Sequence, residues 1–323
     1  MLVLLALAVL FHHVYFVQGA DFGGSVYFLV TNQSFFSTLY RNSTPVLSFQ
    51  GMGLLYESNG SLVVVDDNGT SLTVFLSTDR TAFTGKTIVE HGLVEGTPLL
   101  SEGFLAVINN GALQVYDVYT GKLVENMTPF GEPLAFYYPY LVYGYITGTG
   151  IQAYEYDIAT NATTSLGTVQ GVGFTPNGTL LEIVGGKIVL GNEDFPLPPG
   201  LYGGDNYVQE GYYNNSLYLL IGGPHGNETE VELLRVGSAQ SSVYSETLQG
   251  TYVPTSLVFI GGQPYGVFVD PSDGDAYSVP FSVQSLEGGT SPPSSPSLVY
   301  FGLVISVSAA VLTTIYAWKR LRS

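Results

Sequence analysis

Apolar and polar positions divide the 323-residue chain into two nearly uniform ends and a long, interrupted middle. From Leu2 to Val17 the only polar side chains are His12, His13 and Tyr15. From Leu298 to Trp318 the chain runs LVYFGLVISVSAAVLTTIYAW, 21 residues without a charge. At about 1.5 Å of rise per residue, a helix of that length crosses the roughly 30 Å hydrocarbon core of a bilayer. In the middle, short runs rich in Val, Tyr, Phe and Leu alternate with Gly, Asn, Asp and Pro, and no segment sustains a helical period. The pattern predicts strands at Val26–Val30, Leu54–Glu57, Ser61–Val65, Ser71–Leu76, Phe104–Ile108, Leu113–Val118 and Tyr140–Tyr145. Further strands are predicted at Ile151–Tyr156, Thr179–Val184, Ser216–Ile221, Glu230–Val236, Leu257–Ile260 and Tyr265–Val269.

The strand pattern repeats. LAVINNGALQVYDVYTGKL begins at Leu105, and its QVYDVYTGK is echoed by AYEYDIATN. Tyr116-Asp117 maps onto Tyr156-Asp157, and Thr120-Gly121 onto Thr160-Asn161, with an offset of 40 residues. LLYESNGSLVVVDDNG, from Leu54, has the same order of strand, Asn-Gly turn, strand and acidic turn. Aligning Asn59-Gly60 with Asn110-Gly111 places the extra length in the loop around Thr78–Thr97. GQPYGVFVDPSDGDAYSV, from Gly262, repeats the layout again. A hairpin unit of about 40 residues suits a propeller blade, because one small sheet cannot bury both faces and stacked sheets can. The expected fold class is all-β, a β-propeller of about seven blades, with a pair of β-sandwiches or a β-helix as the competing architectures.

QVYDVYTGKLV closely resembles the late strands and turn of WD40-like, PQQ-binding-like and related propeller repeats, where an aspartate leads into a Thr-Gly turn. The resemblance covers roughly residues 100–170 and implies architecture, not an activity. The Trp-Asp and Gly-His dipeptides of true WD40 repeats are missing, and the sole tryptophan is Trp318.

The apolar ends suggest a topology. Residues 1–19 read as a secretory signal peptide, with Val17 and Gly19 suiting cleavage after Gly19, although no Lys or Arg precedes Leu2. GGTSPPSSPS at 288–297 reads as a Ser/Pro-rich stalk. Lys319, Arg320 and Arg322 follow the candidate span, so 298–318 is expected to be a transmembrane helix and 319–323 a cytoplasmic tail. The propeller domain, 20–287, is then extracellular on a single-pass type I protein of the cell membrane, and the lipid bilayer is a partner.

Composition sharpens this picture. Between the apolar ends lie all 26 acidic residues and six basic ones, a formal balance of −20. Such a surface excludes nucleic acid, whose binding needs cations that displace counterions. Charged residues make up only 11% of the chain, and hydroxyls, amides and 24 tyrosines supply polarity instead. That exterior suits an acidic medium, because it remains polar when carboxylates are protonated. Cysteine is absent, which excludes disulfides, thiol nucleophiles and Cys-ligated metals. Nine of the fourteen asparagines head glycosylation sequons: Asn32, Asn42, Asn59, Asn68, Asn126, Asn161, Asn177, Asn214 and Asn227. The set predicts N-linked glycans, while Asn-Gly in several of them also makes good hairpin turns. Dense sequons, no cysteine and low charge fit an archaeal surface glycoprotein.

Signals for catalysis are sparse. His91 and His225 are isolated in loops, and no nucleophile elbow, zinc-binding helix or phosphate loop occurs. Asp270, Asp273 and Asp275 offer three carboxylates around Gly274, a candidate for Ca²⁺, but the same residues make a capped hairpin turn. Asp66-Asp67-Asn68-Gly69 has the same ambiguity. The runs Phe136–Tyr140 and Tyr212-Tyr213 supply amphipathic surface for packing or for a partner. The expected function is a binding or scaffolding module that recognises an envelope or membrane protein or a glycan. The alternative is a glycan-cleaving ectoenzyme, a glycoside hydrolase or lyase working through carboxylates.

Overall fold

The computed structural model describes residues 8–281, apart from 59, 78–81, 129–130, 149, 176, 197–206, 214–215 and 237–240. The described residues form 28 strands in seven four-stranded sheets, the blades of a seven-bladed β-propeller. A short strand, β1 (Ala8–Phe11), precedes the first blade. That blade is β2 (Val14–Phe22), β3 (Ser25–Asn32), β4 (Phe36–Arg41) and β5 (Thr44–Gln50). The second is β6 (Met52–Ser58), β7 (Ser61–Asp67), β8 (Leu72–Ser77) and β9 (Thr84–Val89). The third is β10 (Val94–Ser101), β11 (Phe104–Asn109), β12 (Ala112–Asp117) and β13 (Lys122–Met127). The fourth is β14 (Glu132–Tyr137), β15 (Tyr140–Thr147), β16 (Gly150–Asp157) and β17 (Ala162–Val169). The fifth is β18 (Gly171–Phe174), β19 (Leu180–Val184), β20 (Lys187–Leu190) and β21 (Glu193–Pro196). The sixth is β22 (Tyr207–Tyr213), β23 (Ser216–His225), β24 (Glu228–Val236) and β25 (Ser241–Gln249). The seventh takes β26 (Val253–Ile260), β27 (Gln263–Val269) and β28 (Ala276–Pro280), and β1 completes it in the order β1-β28-β27-β26.

Second strands are the most buried, and in β7 and β11 both faces are covered. Leu62, Val63, Val64 and Val65 of β7 are all fully buried, as are Leu105, Ala106 and Val107 of β11. A strand covered on both sides reads as a continuous apolar run instead of an alternation. Fourth strands are the opposite: β17, ATTSLGTV, is exposed along its first half and carries hydroxyls where β11 carries hydrocarbon.

The chain forms two compact units by its contacts. The first holds the first, sixth and seventh blades with β6 and most of β7. Its core has two apolar clusters between neighbouring blades. Val14, Val17 and Val30 of the first blade meet Val258, Val267 and Val269 of the seventh. Tyr218, Leu220 and Leu233 of the sixth meet Leu257, Phe259, Phe268 and Phe281. Buried polar groups join the blades as well. The Gln18 amide donates to the Leu55 carbonyl and accepts from the Leu55 N–H, both at 2.8 Å, so a side chain continues the ladder from β2 to β6. Two hydroxyls serve as matching latches at chain crossovers. Ser37 Oγ donates to Gly51 O at 2.7 Å and accepts from Gly53 N at 3.0 Å. Thr229 Oγ1 donates to Gly250 O at 2.9 Å and accepts from Tyr252 N at 2.7 Å.

The second unit holds the third, fourth and fifth blades. Leu99, Leu113 and Val115 pack on Phe136, Leu141 and Tyr143 between the third and fourth. Leu134, Val142 and Ala153 pack on Val172 and Phe174 between the fourth and fifth.

Each predicted strand lies on an observed strand and overruns it by no more than a residue, but Ser216–Ile221 and Leu257–Ile260 each fall four residues short at one end. The offset of 40 is also real, since Asp117 and Asp157 both end third strands. The alignment of Asn59-Gly60 with Asn110-Gly111 needs correction. Residues 59–60 join a first strand to a second, whereas Asn110-Gly111 joins a second to a third. Apolar runs flank both turns, so local pattern cannot distinguish them. Residues 8–19, expected in the leader, form β1 and the first six residues of β2. Residues 1–7, the stalk at 288–297, the candidate span at 298–318 and the tail at 319–323 lie outside the described residues. Among the described residues, no helix is long and apolar enough to cross a membrane.

Candidate binding surface

One end of the second unit presents a row of aromatic residues. Strand-end chemistry builds it. Asp117 ends β12 and its carboxylate accepts the N–H groups of Tyr119 and Thr120 at 2.8 and 3.0 Å. This Asx turn is the sequence's aspartate-to-Thr-Gly motif, and it lifts Tyr119 to 44% exposure. Burial pushes the Asp117 carboxyl up, but the Thr120 and Tyr119 hydrogen bonds and Lys86 outweigh it and hold it below the ordinary range. The Tyr119 ring lies over Gly103, whose φ of +80° and missing side chain both suit the tight turn into β11. Beside it, Phe104 and Tyr138 stack with centroids 3.8 Å apart and planes 12° from parallel. Tyr137 follows, its ring against Gly178 in the β18–β19 turn, where φ is +79°. Tyr140 is also exposed.

The row is polar at its margins but lightly charged. Lys86 donates to the Tyr119 carbonyl at 3.2 Å. Burial, then the nearby Glu102 carboxylate, raise the Tyr137 phenol above its ordinary value. Asp157 repeats the Asp117 turn, accepting from Ala159 N and Thr160 Oγ1. Such a surface offers flat apolar area with hydroxyls at its edge, as partner-binding surfaces do. A second aromatic group stands at the β15–β16 hairpin. Tyr143 stacks on Tyr154 at 5.7 Å, and Tyr145 and Ile146 beside them are exposed.

Carboxylates elsewhere are held in unusual states. Burial, then Glu95, raise Glu132 on β14; burial, then Glu155, raise Glu182 on β19. On β22, both carboxyl oxygens of Glu210 are buried without a hydrogen-bond partner, and burial pushes this acid well above the ordinary range.

The candidate calcium loop is the β27–β28 turn. Asp270 Oδ1 accepts the Ser272 N–H and hydroxyl at 2.8 and 2.6 Å, and Asp273 Oδ1 accepts the Asp275 N–H at 2.7 Å. Asp275 Oδ2 lies 2.9 Å from His12 Nδ1. The three carboxylates are engaged as turn caps and as a tie to the β1–β2 turn. Among the described residues, no three such side chains form a group that could hold a metal ion. The tie from His12, 263 residues away in the chain, carries no local sequence signal. His91 is exposed in the β9–β10 turn, and the side chain of His225 lies outside the described residues. Of the sequons, Asn42, Asn68, Asn126, Asn161, Asn177 and Asn227 are exposed and Asn32 is half-buried; Asn59 and Asn214 lie outside the described residues.

No family model and no curated protein matches the chain. Solved structures do. An acylaminoacyl peptidase is similar with a TM-score of 0.55 and 9% identity, covering 83% of this chain and 53% of that one. BBS1N, solved in complex with ARL6DN, is similar with a TM-score of 0.54 and 10% identity, over 86% of this chain and 95% of that one. The β-propeller domain of the Trilobed protease from Pyrococcus furiosus has a TM-score of 0.49 and 9% identity, over 86% and 99%. At such identities the likeness is one of fold.

Proposed function

We propose that this chain is a membrane-anchored surface glycoprotein whose propeller is a binding or scaffolding module for another envelope or membrane protein. The observation that carries the binding role is the aromatic row from Tyr119 through the Phe104–Tyr138 stack to Tyr137. Tyr119 is exposed beside the half-buried Phe104–Tyr138 stack and Tyr137, which rest on the blade cores, with Tyr140 exposed nearby, and apolar area of that kind is what partners bury. The propeller fold commonly presents such surfaces, and the structurally similar BBS1N was solved with a protein partner. The uncharged stretch at 298–318, followed by basic residues, supplies the anchor in this reading, and the exposed sequons supply N-linked glycans.

The test is extraction of the native protein in mild detergent, followed by size analysis and mass spectrometry of what travels with it. A stoichiometric companion, lost in a Tyr119→Ser, Tyr138→Ser double variant that keeps its melting temperature, is the expected result. A companion that stays bound to the variant would remove the aromatic row from the argument. A lone monomer would overturn the scaffold reading.

A further inference from the structure

The sequons differ in what their amides are doing. An N-glycan forms when the asparagine Nδ2 attacks the anomeric carbon of a phosphate-activated sugar. The N–C bond forms, the C–O bond to phosphate breaks, the phosphate departs, and one amide proton passes to a base of the transferring enzyme. The folded acceptor must therefore present an exposed Nδ2 that no neighbour engages.

Asn42, Asn161 and Asn177 meet that demand by a shared device: the amide oxygen is held and the nitrogen is left outward. Asn42 Oδ1 accepts the Val26 N–H at 3.1 Å, at a turn where Asn42 itself has φ of +44°. Asn161, with φ of +55°, accepts the Tyr156 hydroxyl on Oδ1 at 2.6 Å. Asn177 Oδ1 accepts the hydroxyls of Thr175 and Thr179, the latter being the sequon's own. All three asparagines are exposed, and no described residue accepts from their Nδ2. Asn68 is built differently. Its Oδ1 accepts Thr70 N, Thr70 Oγ1 and Ser71 N, and its Nδ2 donates to Ser71 Oγ at 2.7 Å. Both ends of that amide are consumed by the β7–β8 turn.

We propose that glycan transfer to this protein sorts its sequons by folded geometry, with Asn42, Asn161 and Asn177 as acceptors and Asn68 as a silent sequon. The proposal rests on the glycoprotein reading above. Glycopeptide mass spectrometry of the full chain from its native membranes tests it. Occupancy at Asn42, Asn161 and Asn177 is expected to exceed that at Asn68 at least tenfold. In a Ser71→Ala variant, which frees Nδ2 and keeps the Thr70 hydroxyl, occupancy at Asn68 is expected to rise at least fivefold. Equal occupancy at Asn68 in the native chain, or no rise in the variant, overturns the sorting while leaving a glycoprotein. Absence of sugar at every sequon overturns both.

Discussion

Within the third blade, β11 and β13 lie two strands apart and follow opposite rules. Leu105, Ala106 and Val107 of β11 are fully buried between neighbours, whereas Leu123 and Val124 of β13 are 47% and 41% exposed. β11 is an unbroken apolar run from Phe104 to Ile108, and β13 carries only the apolar pair Leu123-Val124. Position in the sheet also separates them: β11 has a hydrogen-bonded strand on either side, and β13 is the last of the order β10-β11-β12-β13. The difference teaches that apolar sequence marks stability in the second strand of a blade and opportunity, or liability, in the fourth.

The strongest challenge to that contrast is β1, a fourth strand supplied from the far end of the chain. Removing residues 1–19 deletes it together with Val14 and Val17 of β2. The expected cost is on the order of 5 kcal/mol or more, from two lost core side chains and a lost sheet edge. Thermal melts of the truncated chain check it, alongside N-terminal sequencing of the native protein. A native chain starting at Ala20 with an undiminished melting temperature would show that this segment is dispensable.

Next in size, Leu105→Ala should cost about 2–5 kcal/mol, the range for a fully buried leucine truncated in a packed core. Chemical denaturation measures it.

Buried acids sharpen the comparison further. Asp21, Glu132, Glu155, Glu182 and Glu210 sit on first, second or third strands, and burial raises each of them. Asp194, on the fourth strand β21, is exposed and held down by Lys187. Glu246, raised by burial on β25, and Asp117 at the end of β12, where burial is outweighed by the turn hydrogen bonds that hold it down, depart from the rule. An acid whose folded pKa is raised contributes stability that is full below its unfolded pKa of about 4.3 and is lost as pH rises through the folded value. The propeller should therefore melt higher at pH 5 than at pH 8. Glu210→Gln removes the penalty of a buried acid that ionises in the unfolded chain, so relative to wild type it should gain stability at pH 8 and almost nothing at pH 4. A melting temperature that climbs steadily from pH 5 to pH 8 would contradict the sign. The smallest effect belongs to the fourth strand: Leu123→Ser should stay within about 0.5 kcal/mol of wild type.

Legibility followed the same divide. The strands predicted from pattern are mostly second and third strands, where runs such as LVVV at 62–65 and LAVI at 105–108 stand out. No fourth strand was predicted, because ATTSLGTV and KLVENM lack both alternation and a bounded apolar run. First strands β10, β14 and β22 escaped for another reason. Pro98, Pro133 and Gly211 interrupt them, and proline is tolerated there because a first strand is a sheet edge. At the candidate surface, the Tyr137–Tyr140 run and the Asp117 turn could be read from sequence. The pairing of Phe104 with Tyr138 could not, since it joins residues of different blades. The Ser37 and Thr229 latches escaped as well, because one hydroxyl at each site carries no periodic signal.

The pairing of β1 with β28 also sets a timetable. His12 and Asp275, which meet beside that pair, are 263 residues apart in the chain. At synthesis rates of about 5–20 residues per second, β1 emerges tens of seconds before the strand that receives it. Throughout that interval the seventh blade cannot be complete, and β1 stays an unmatched apolar strand. The hydrogen bonds that close this blade therefore wait on a segment made much later, so the nascent protein depends on its surroundings to keep β1 from pairing elsewhere.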